Sequence, residues 1–523
     1  MRQISVGYVT RSHAFSRLRC YSQIAKSACR RGDALFRIVT YSLVFLVCTA
    51  ILAKARSRCL RQSTLLLASY GLYLTWTPWF AAVLLASTIV NYLVGQWLRR
   101  KSSGFALSIG VLFNLALLGV FKYLPDAAPQ LPFSTLHGLA RLVMPVGISF
   151  WTFQALSYLF DVYQGEDIDP TLAEFALYMA FFPVTISGPV CRMPDMLPQF
   201  RSEESTRWPD IVQGLRRIAI GVLMMQLARL MDQGILAGDG INSGFDRATH
   251  WTGPDVWCLV FGYGLQLFFD FAGYSHIAIG AAQALSFIVP ENFARPFAST
   301  SPSMFWTRWH MSLSFWIRDY VFFPIMQMRR EVWWRNLALL ISMVLFGLWH
   351  KATVLFLLWG AYHGGLLVLQ RVIESLERKY DWTPPEKTRN VLSWGVTICL
   401  MNLGWIFFRS NSLPAARQMF AAVSSPANYS AHFLSVSLYL LVLSLWAGYA
   451  ISAVTIDALR SDSETPPEID SAEPSRSRLP IITLLARWRW FWLTPLYALV
   501  LLAVLIVTWS HGTSTAQMMY GNF

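Results

Sequence analysis

Charged side chains make up only 14 % of this 523-residue chain, against 55 % hydrophobic and 15 % aromatic residues. A typical soluble domain carries about 25 % charged residues, so this chain cannot coat its apolar surface in water. Acidic residues are the scarcer sign, 29 against 43 basic, for a formal net charge of +14. The basic residues form no domain, only short clusters at the ends of apolar runs, which excludes a nucleic-acid partner and matches positive-inside topology. The seven cysteines (Cys20, Cys29, Cys48, Cys59, Cys191, Cys258 and Cys399) contain no C-x-x-C and no metal-like spacing. Neither a disulfide framework nor a metal site is expected from them. The chain also lacks a P-loop, a G-x-S-x-G elbow, a G-x-G-x-x-G turn after a strand and any internal repeat.

What the sequence has is apolar length. Stretches long enough to span a hydrocarbon core, about 20 residues each, lie near 38–53, 63–98 (a hairpin), 104–124, 140–163, 173–190, 211–236, 255–288 (as two), 335–373 (as two), 391–408, 435–456 and 487–510. The expected fold is an all-α polytopic membrane protein with about 11 to 13 membrane helices on that length rule. Lys54-Ala55-Arg56-Ser57-Arg58 and Arg99-Arg100-Lys101 flank a hydrophobic pair whose turn is Trp76-Thr77-Pro78-Trp79. Both clusters are therefore expected in the cytoplasm and the turn outside. Residues 1–37 form a basic arm that conflicts with this orientation, and the two short loops outweigh it. The organisation read from the sequence is that arm, a membrane core over 38–456, a polar flexible loop over 457–480, and a last membrane helix with an external tail over 481–523.

Phe346-Gly347-Leu348-Trp349-His350-Lys351 places a histidine and a lysine inside an apolar stretch running from Leu337 to Leu369. A charge at membrane depth costs roughly 2 to 3 kcal/mol on insertion scales, so an ionisable residue there is a functional hypothesis. His350 is the leading catalytic candidate, with a hydrogen-bonded core histidine as the alternative reading. Asp270, also within an apolar run, reads as a paired structural acid or a supporting catalytic one. The segment from Phe305 to Tyr320 is neither loop nor clean span. Wound as one helix it puts Trp309, Leu313 and Trp316 on one face and Arg308, Ser312 and Asp319 on a polar strip. An interfacial or re-entrant helix is expected, either as a surface anchor or as the wall of a polar chamber. Arg318 and Asp319 pair with each other or meet a donor phosphate, although neighbouring helical positions do not face one another.

Several further blocks point to a family: Asn91-Tyr92-Leu93-Val94-Gly95, Phe121-Lys122-Tyr123, Pro145-Val146-Gly147-Ile148-Ser149-Phe150, Phe181-Phe182-Pro183, Phe269-Asp270-Phe271-Ala272-Gly273-Tyr274-Ser275, Pro290-Glu291-Asn292-Phe293, Arg308-Trp309-His310 and Leu348-Trp349-His350. In number and order they resemble the membrane-bound O-acyltransferase family, in its bacterial branch of alginate O-acetyltransferases and teichoic acid D-alanyl transferases. The resemblance runs from about residue 63 to the C-terminus. It implies a helical chamber in which an acyl group from a cytoplasmic thioester passes to an acceptor on the far side. It also implies that His350 is catalytic with His310 beside it. Imidazole suits that work, because attack of a hydroxyl on a thioester needs proton removal near neutral pH. Lys351 stands where the alginate branch usually has glycine, either acting on His350 as a nearby cation, reaching the interface or meeting donor phosphates. The ending Tyr520-Gly521-Asn522-Phe523 loosely resembles the aromatic tail of this branch, which makes Tyr520 a candidate acyl relay or docking residue, with a frayed terminus as the alternative.

The resemblance implies a bacterial inner-membrane O-acetyltransferase that takes acetyl from acetyl-CoA for an exported polysaccharide, with an extracytoplasmic polysaccharide acetyltransferase or synthase complex as partner and lipid around it. D-alanyl transfer from a phosphopantetheine carrier is the second reading. A transporter whose histidines relay protons is a third, disfavoured by the missing pseudo-symmetry between halves.

Overall fold

A computed structural model describes residues 36–37, 39–128, 142–235, 239–247, 251–380 and 386–461. Helix α1 (Val39–Leu52) leads to the hairpin α2 (Arg58–Leu74) and α3 (Pro78–Arg100). The turn between α2 and α3 is set locally: Thr77 accepts from the Phe80 N–H and Pro78 takes the first helical position, where its missing N–H costs nothing. Helix α4 (Gly104–Ala127) contains a π-helical turn at Gly119–Tyr123. Helices α5 (Ile148–Tyr163), α6 (Leu172–Ala180), α7 (Met193–Arg201) and α8 (Trp208–Gln233) follow, then α9 (Gly253–Ala284). Past the short helices α10 (Pro302–Trp306) and α11 (Met311–Ile317) come α12 (Val332–His350), α13 (Val354–Tyr380), α14 (Glu386–Leu403), α15 (Trp405–Arg409), α16 (Leu413–Ser424) and α17 (Val436–Ser461).

Among the described residues, seven helices are long and apolar enough to cross a membrane: α3, α4, α8, α9, α12, α13 and the stretch Arg389–Arg409. Two more apolar helices, Val39–Leu52 and Val436–Ser452, are shorter. The molecule is an all-α, multi-pass membrane protein. Two expected elements are differently built. The stretch 173–190 is not a span, because α6 stops at Ala180 and the chain turns through a segment containing Pro183, Gly188 and Pro189. The stretch 255–288 is one helix rather than two. Its glycines receive α8 at close range: a Cβ on Gly214 would lie 2.4 Å from the Gly280 carbonyl oxygen, and one on Gly221 would lie 2.4 Å from that of Gly273. Backbones in this contact replace the side chains that a helix–turn–helix would have needed. The last expected span, 487–510, lies outside the described residues, as do 1–35 and the loop from 462 onward.

The end of the bundle that carries the basic clusters is locked by Glu174. Its side chain closes a capping box with Thr171 and pairs with Arg58 of α2 and Arg201 of α7, the latter at 3.0 Å. Burial opposes ionisation of Glu174, yet the hydrogen bonds from Arg201, the Thr171 N–H and Arg58 outweigh it and hold the carboxyl down at about 2.

Candidate active site

The segment expected as one re-entrant helix is broken in the middle, and the break makes the site. The backbone of residues 308–311 is tied to that of 292–294: Phe293 and Trp309 form an antiparallel bridge, Ala294 N–H donates to the Arg308 carbonyl at 3.0 Å, and Met311 N–H donates to the Asn292 carbonyl at 2.9 Å. His310 is thereby forced into the left-handed region, φ 45° and ψ 51°, and becomes the N-cap of α11. A non-glycine residue there costs about 1 to 3 kcal/mol and persists only where its surroundings over-determine it. Trp309, Leu313 and Trp316 are all buried as the apolar face predicts, although Trp309 precedes the break.

Asn292 organises the histidine. Its Nδ2 donates to Ser275 Oγ at 3.0 Å, and its Oδ1 accepts from Ser312 Oγ at 2.6 Å. The Val190 N–H can only donate, and it donates to Ser312 Oγ at 3.0 Å. The Ser312 hydroxyl proton therefore goes to Asn292, and the atom receiving it is the amide oxygen. His310 Nδ1 lies 3.4 Å from the same oxygen, a long contact. A nitrogen facing an acceptor is the one that carries the proton, so this contact favours the Nδ1–H tautomer of His310, with Nε2 as the basic nitrogen. Asn292 was read from the sequence only as part of a block. The signal that could have singled it out was a carboxamide in a segment otherwise ending a long apolar run.

His350 is the last residue of α12. That helix is held against α13 by two glycines: a Cβ on Gly347 would lie 2.2 Å from the Phe356 carbonyl oxygen, and one on Gly360 would lie 2.3 Å from that of Met343. The imidazole is enclosed by aromatic rings, with centroids 4.6 Å from Trp349, 5.2 Å from Phe408 and 5.5 Å from Trp359. His310 and His350 are both buried, and both line one enclosed cavity of about 10 Å³ whose remaining walls include Phe271, Phe346, Trp359 and Phe408. That volume is the lower limit for a single water. The two histidines singled out in the sequence are thus brought together in a nearly dry, aromatic chamber.

A second cavity of about 310 Å³ adjoins it. Phe346 lines both, and the larger one is otherwise walled by Trp306, Ser342, Gln370 and Glu374, with Arg318 and Arg371 among its lining residues. Arg318 therefore faces open space. Asp319 does not: it binds Arg192 at 2.6 Å and accepts from Arg318 at 2.7 Å. The neighbour rule that separates adjacent helical residues fails for this pair because Arg318 opens a π-helical turn, Arg318–Phe322, where the register changes. Burial opposes ionisation of Asp319, but the two guanidiniums hold its carboxyl below the usual range.

The other candidates stand outside the chamber. Asp270 is buried one position before the cavity-lining Phe271 and does not line it. Arg308 contributes its carbonyl to the bridge with Ala294. Lys351 is exposed beyond the end of α12 and lines neither cavity. Tyr520 lies outside the described residues. Two further groups were not singled out from the sequence, Lys122 appearing there only within the block Phe121-Lys122-Tyr123. Lys122 lies over the ring of Trp349, 4.4 Å from its centroid. His363 is buried behind Trp359, at 4.9 Å between centroids, with neither ring nitrogen hydrogen-bonded among the described residues.

Known proteins resemble this chain over most of its length. The family described as MBOAT, membrane-bound O-acyltransferase, matches residues 63–410, which include both histidines. The “Probable alginate O-acetylase AlgI” of Pseudomonas syringae pv. tomato is 34 % identical over 383 residues, 70 % of this chain and 70 % of that protein. The peptidoglycan O-acetyltransferase of Helicobacter pylori is 30 % identical over 67 % of this chain and 71 % of its own length. The teichoic acid D-alanyltransferase of Bacillus subtilis is 28 % identical over 59 % and 79 %. With a family match over most of its length and a chamber built around two histidines, the chain belongs to the membrane-bound O-acyltransferase family and is a multi-pass membrane acyltransferase.

Proposed function

We propose that this enzyme moves an acetyl group from acetyl-CoA through the bacterial inner membrane for O-acetylation of an exported polysaccharide, with His350 as the base and His310 as its partner. The observation that carries the reading is the shared cavity: His310 and His350 come from separate elements yet line one chamber with room for at most about one water. Excluding water matters because water competes with the acceptor hydroxyl for the thioester.

In the proposed reaction His350 takes the proton from the acceptor hydroxyl as its oxygen bonds to the thioester carbonyl carbon. The tetrahedral oxyanion collapses, the carbon–sulfur bond breaks, and the leaving thiolate takes up the proton, giving an ester and a free thiol. His310, with Nδ1–H directed at Asn292, presents Nε2 as a second proton-handling group. The 310 Å³ cavity suits the donor. It is at the small end for ligand pockets, so it takes the thioester arm, while the nucleotide stays outside near Arg318 and Arg371.

Residues 38–456 serve as the catalytic membrane core. The basic clusters at Arg58 and Arg100 support a cytoplasmic donor cavity, because α13 runs back from the His350 end and carries Arg371 and Glu374 toward the end where α4 begins. A separate extracytoplasmic transferase or synthase receives the product, and Tyr520 in the external tail is its docking or relay residue. Wild-type polymer acylation in Tyr520→Phe would remove the relay role.

D-alanyl transfer from a phosphopantetheine carrier is the second reading, supported by the Bacillus subtilis relative. The test is mass spectrometry of esters released by mild base from surface polymers of cells carrying wild-type or His350→Ala protein at equal membrane abundance. Loss of acetate supports the main reading and loss of D-alanine the second. No change in either removes His350 from catalysis and reopens a transporter without covalent chemistry.

A further inference from the structure

Lys122 sits in the π-helical turn of α4, Gly119–Tyr123, and its Nζ is buried with no hydrogen-bond partner among the described residues. Its nearest compensations are the rings of Trp349, 4.4 Å to the centroid, and Tyr123, 5.9 Å. The next residue, Tyr123, donates its hydroxyl to the Trp349 carbonyl at 3.1 Å. The π turn therefore grips residue 349 by ring and carbonyl and sets the Lys122 amine against the residue that precedes His350. Single π turns inside α-helices recur at functional sites, because the extra residue re-aims the side chains of one turn.

A buried charge is normally paired, and an aromatic face replaces a counter-ion only in part. A leucine or methionine would fill the same space without the desolvation cost. A lysine kept there without a hydrogen-bond partner among the described residues fits a protein whose anion arrives with the substrate and holds the amine protonated. We propose that Lys122 is an anion-binding site beside His350 that takes a carboxylate or phosphate group of the acyl acceptor. Its position selects the acceptor over the donor. Helix α4 leaves the basic end at Gly104 and reaches Lys122 near its far end, as α12 reaches His350, whereas Arg371 and Glu374 of the donor cavity lie toward the basic end. The assignment to the acceptor rests on the acyl-transfer reading; the anion site itself does not.

The test uses the full chain in lipid nanodiscs and thermal unfolding at constant ionic strength with glucuronate, glycerol 3-phosphate or glucose as probe. Wild type and Lys122→Arg are expected to show a saturable rise in Tm with an anion and none with glucose. The glucuronate and phosphate arms decide which group is taken. In Lys122→Met and Lys122→Gln the anion affinity is expected to fall about ten- to a hundred-fold, as for loss of a charge-assisted hydrogen bond, while the ligand-free Tm stays level or rises. His350→Ala keeps the anion response and loses transfer, so failure of the anion site and failure of the acyl-transfer reading are separate results. An equal shift with glucose overturns the proposal without reference to any variant. So does a full anion response in either neutral variant, and so does a lowered ligand-free Tm with the response unchanged, which is the behaviour of a structural clamp on Trp349.

Discussion

Replacing Asn292 by alanine separates positioning from stability at this site. The side chain is fully buried and makes two well-formed hydrogen bonds, to Ser275 at 3.0 Å and from Ser312 at 2.6 Å, besides the long contact with His310. The Asn292 carbonyl that receives Met311 N–H is untouched by the substitution, so the break before α11 survives. Side-chain hydrogen bonds inside membrane proteins are worth about 0.6 to 1.7 kcal/mol each, which puts the loss for two at about 1 to 3 kcal/mol. The effect on catalysis is larger in proportion. Without Oδ1 the proton on His310 Nδ1 is no longer specified, and a misplaced catalytic group costs on the order of a hundredfold in rate. Ser275→Ala is the control, since it removes the hydrogen bond on the far side of Asn292 and leaves Oδ1 facing His310. Unfolding in detergent and single-turnover acyl transfer would be measured on both variants. The expected result is a destabilisation about half as large in Ser275→Ala, which loses one of the two bonds, and a far slower Asn292→Ala enzyme. Equal transfer rates in the two variants would refute the assignment of Asn292 as the residue that sets His310.

Gly347→Ala and Gly360→Ala each drive a methyl group to within 2.2 and 2.3 Å of a facing carbonyl oxygen; separating α12 from α13 should cost about 1 to 3 kcal/mol, seen as a lower Tm together with slower transfer. Glu174 has its folded-state acidity held at about 2, down from an ordinary 4.5. Its stabilising contribution is therefore complete above about pH 4.5 and is lost as pH falls toward 2; a Tm series over that window should fall more steeply for wild type than for Glu174→Gln, and parallel curves would contradict it. Lys351→Gly alters an exposed residue outside both cavities. Transfer should stay within about twofold of wild type, the range of ordinary surface changes, and a tenfold loss would show that Lys351 acts on His350 after all.

Much of this enzyme was legible in one dimension because the membrane imposes a rule that acts along the chain. Every buried stretch must be apolar over a full span, so the hairpin of α2 and α3, the pair α12 and α13, and the ionisable His350 within an apolar stretch could be read directly. The number of helices in 255–288 could not, because the reason α9 continues unbroken resides in Gly214 and Gly221 of another helix. The same holds for the break at His310. Local periodicity favours a helix through Trp309 and Leu313, and only pairing with residues 292–294 overrides it.

The amino-acid sequence by itself determined the class of protein and many of its apolar helices, and it singled out two histidines, since each depends on composition and spacing within a single stretch. Only the tertiary structure decided that those histidines share one nearly dry cavity, that Asn292 faces one of them, that Lys122 packs on Trp349 while Lys351 is exposed, and that Arg318 lines a cavity while Asp319 is tied to Arg192. These are relations between side chains distant in the chain, and their energies depend on distance and burial, which come into being only when the helices pack.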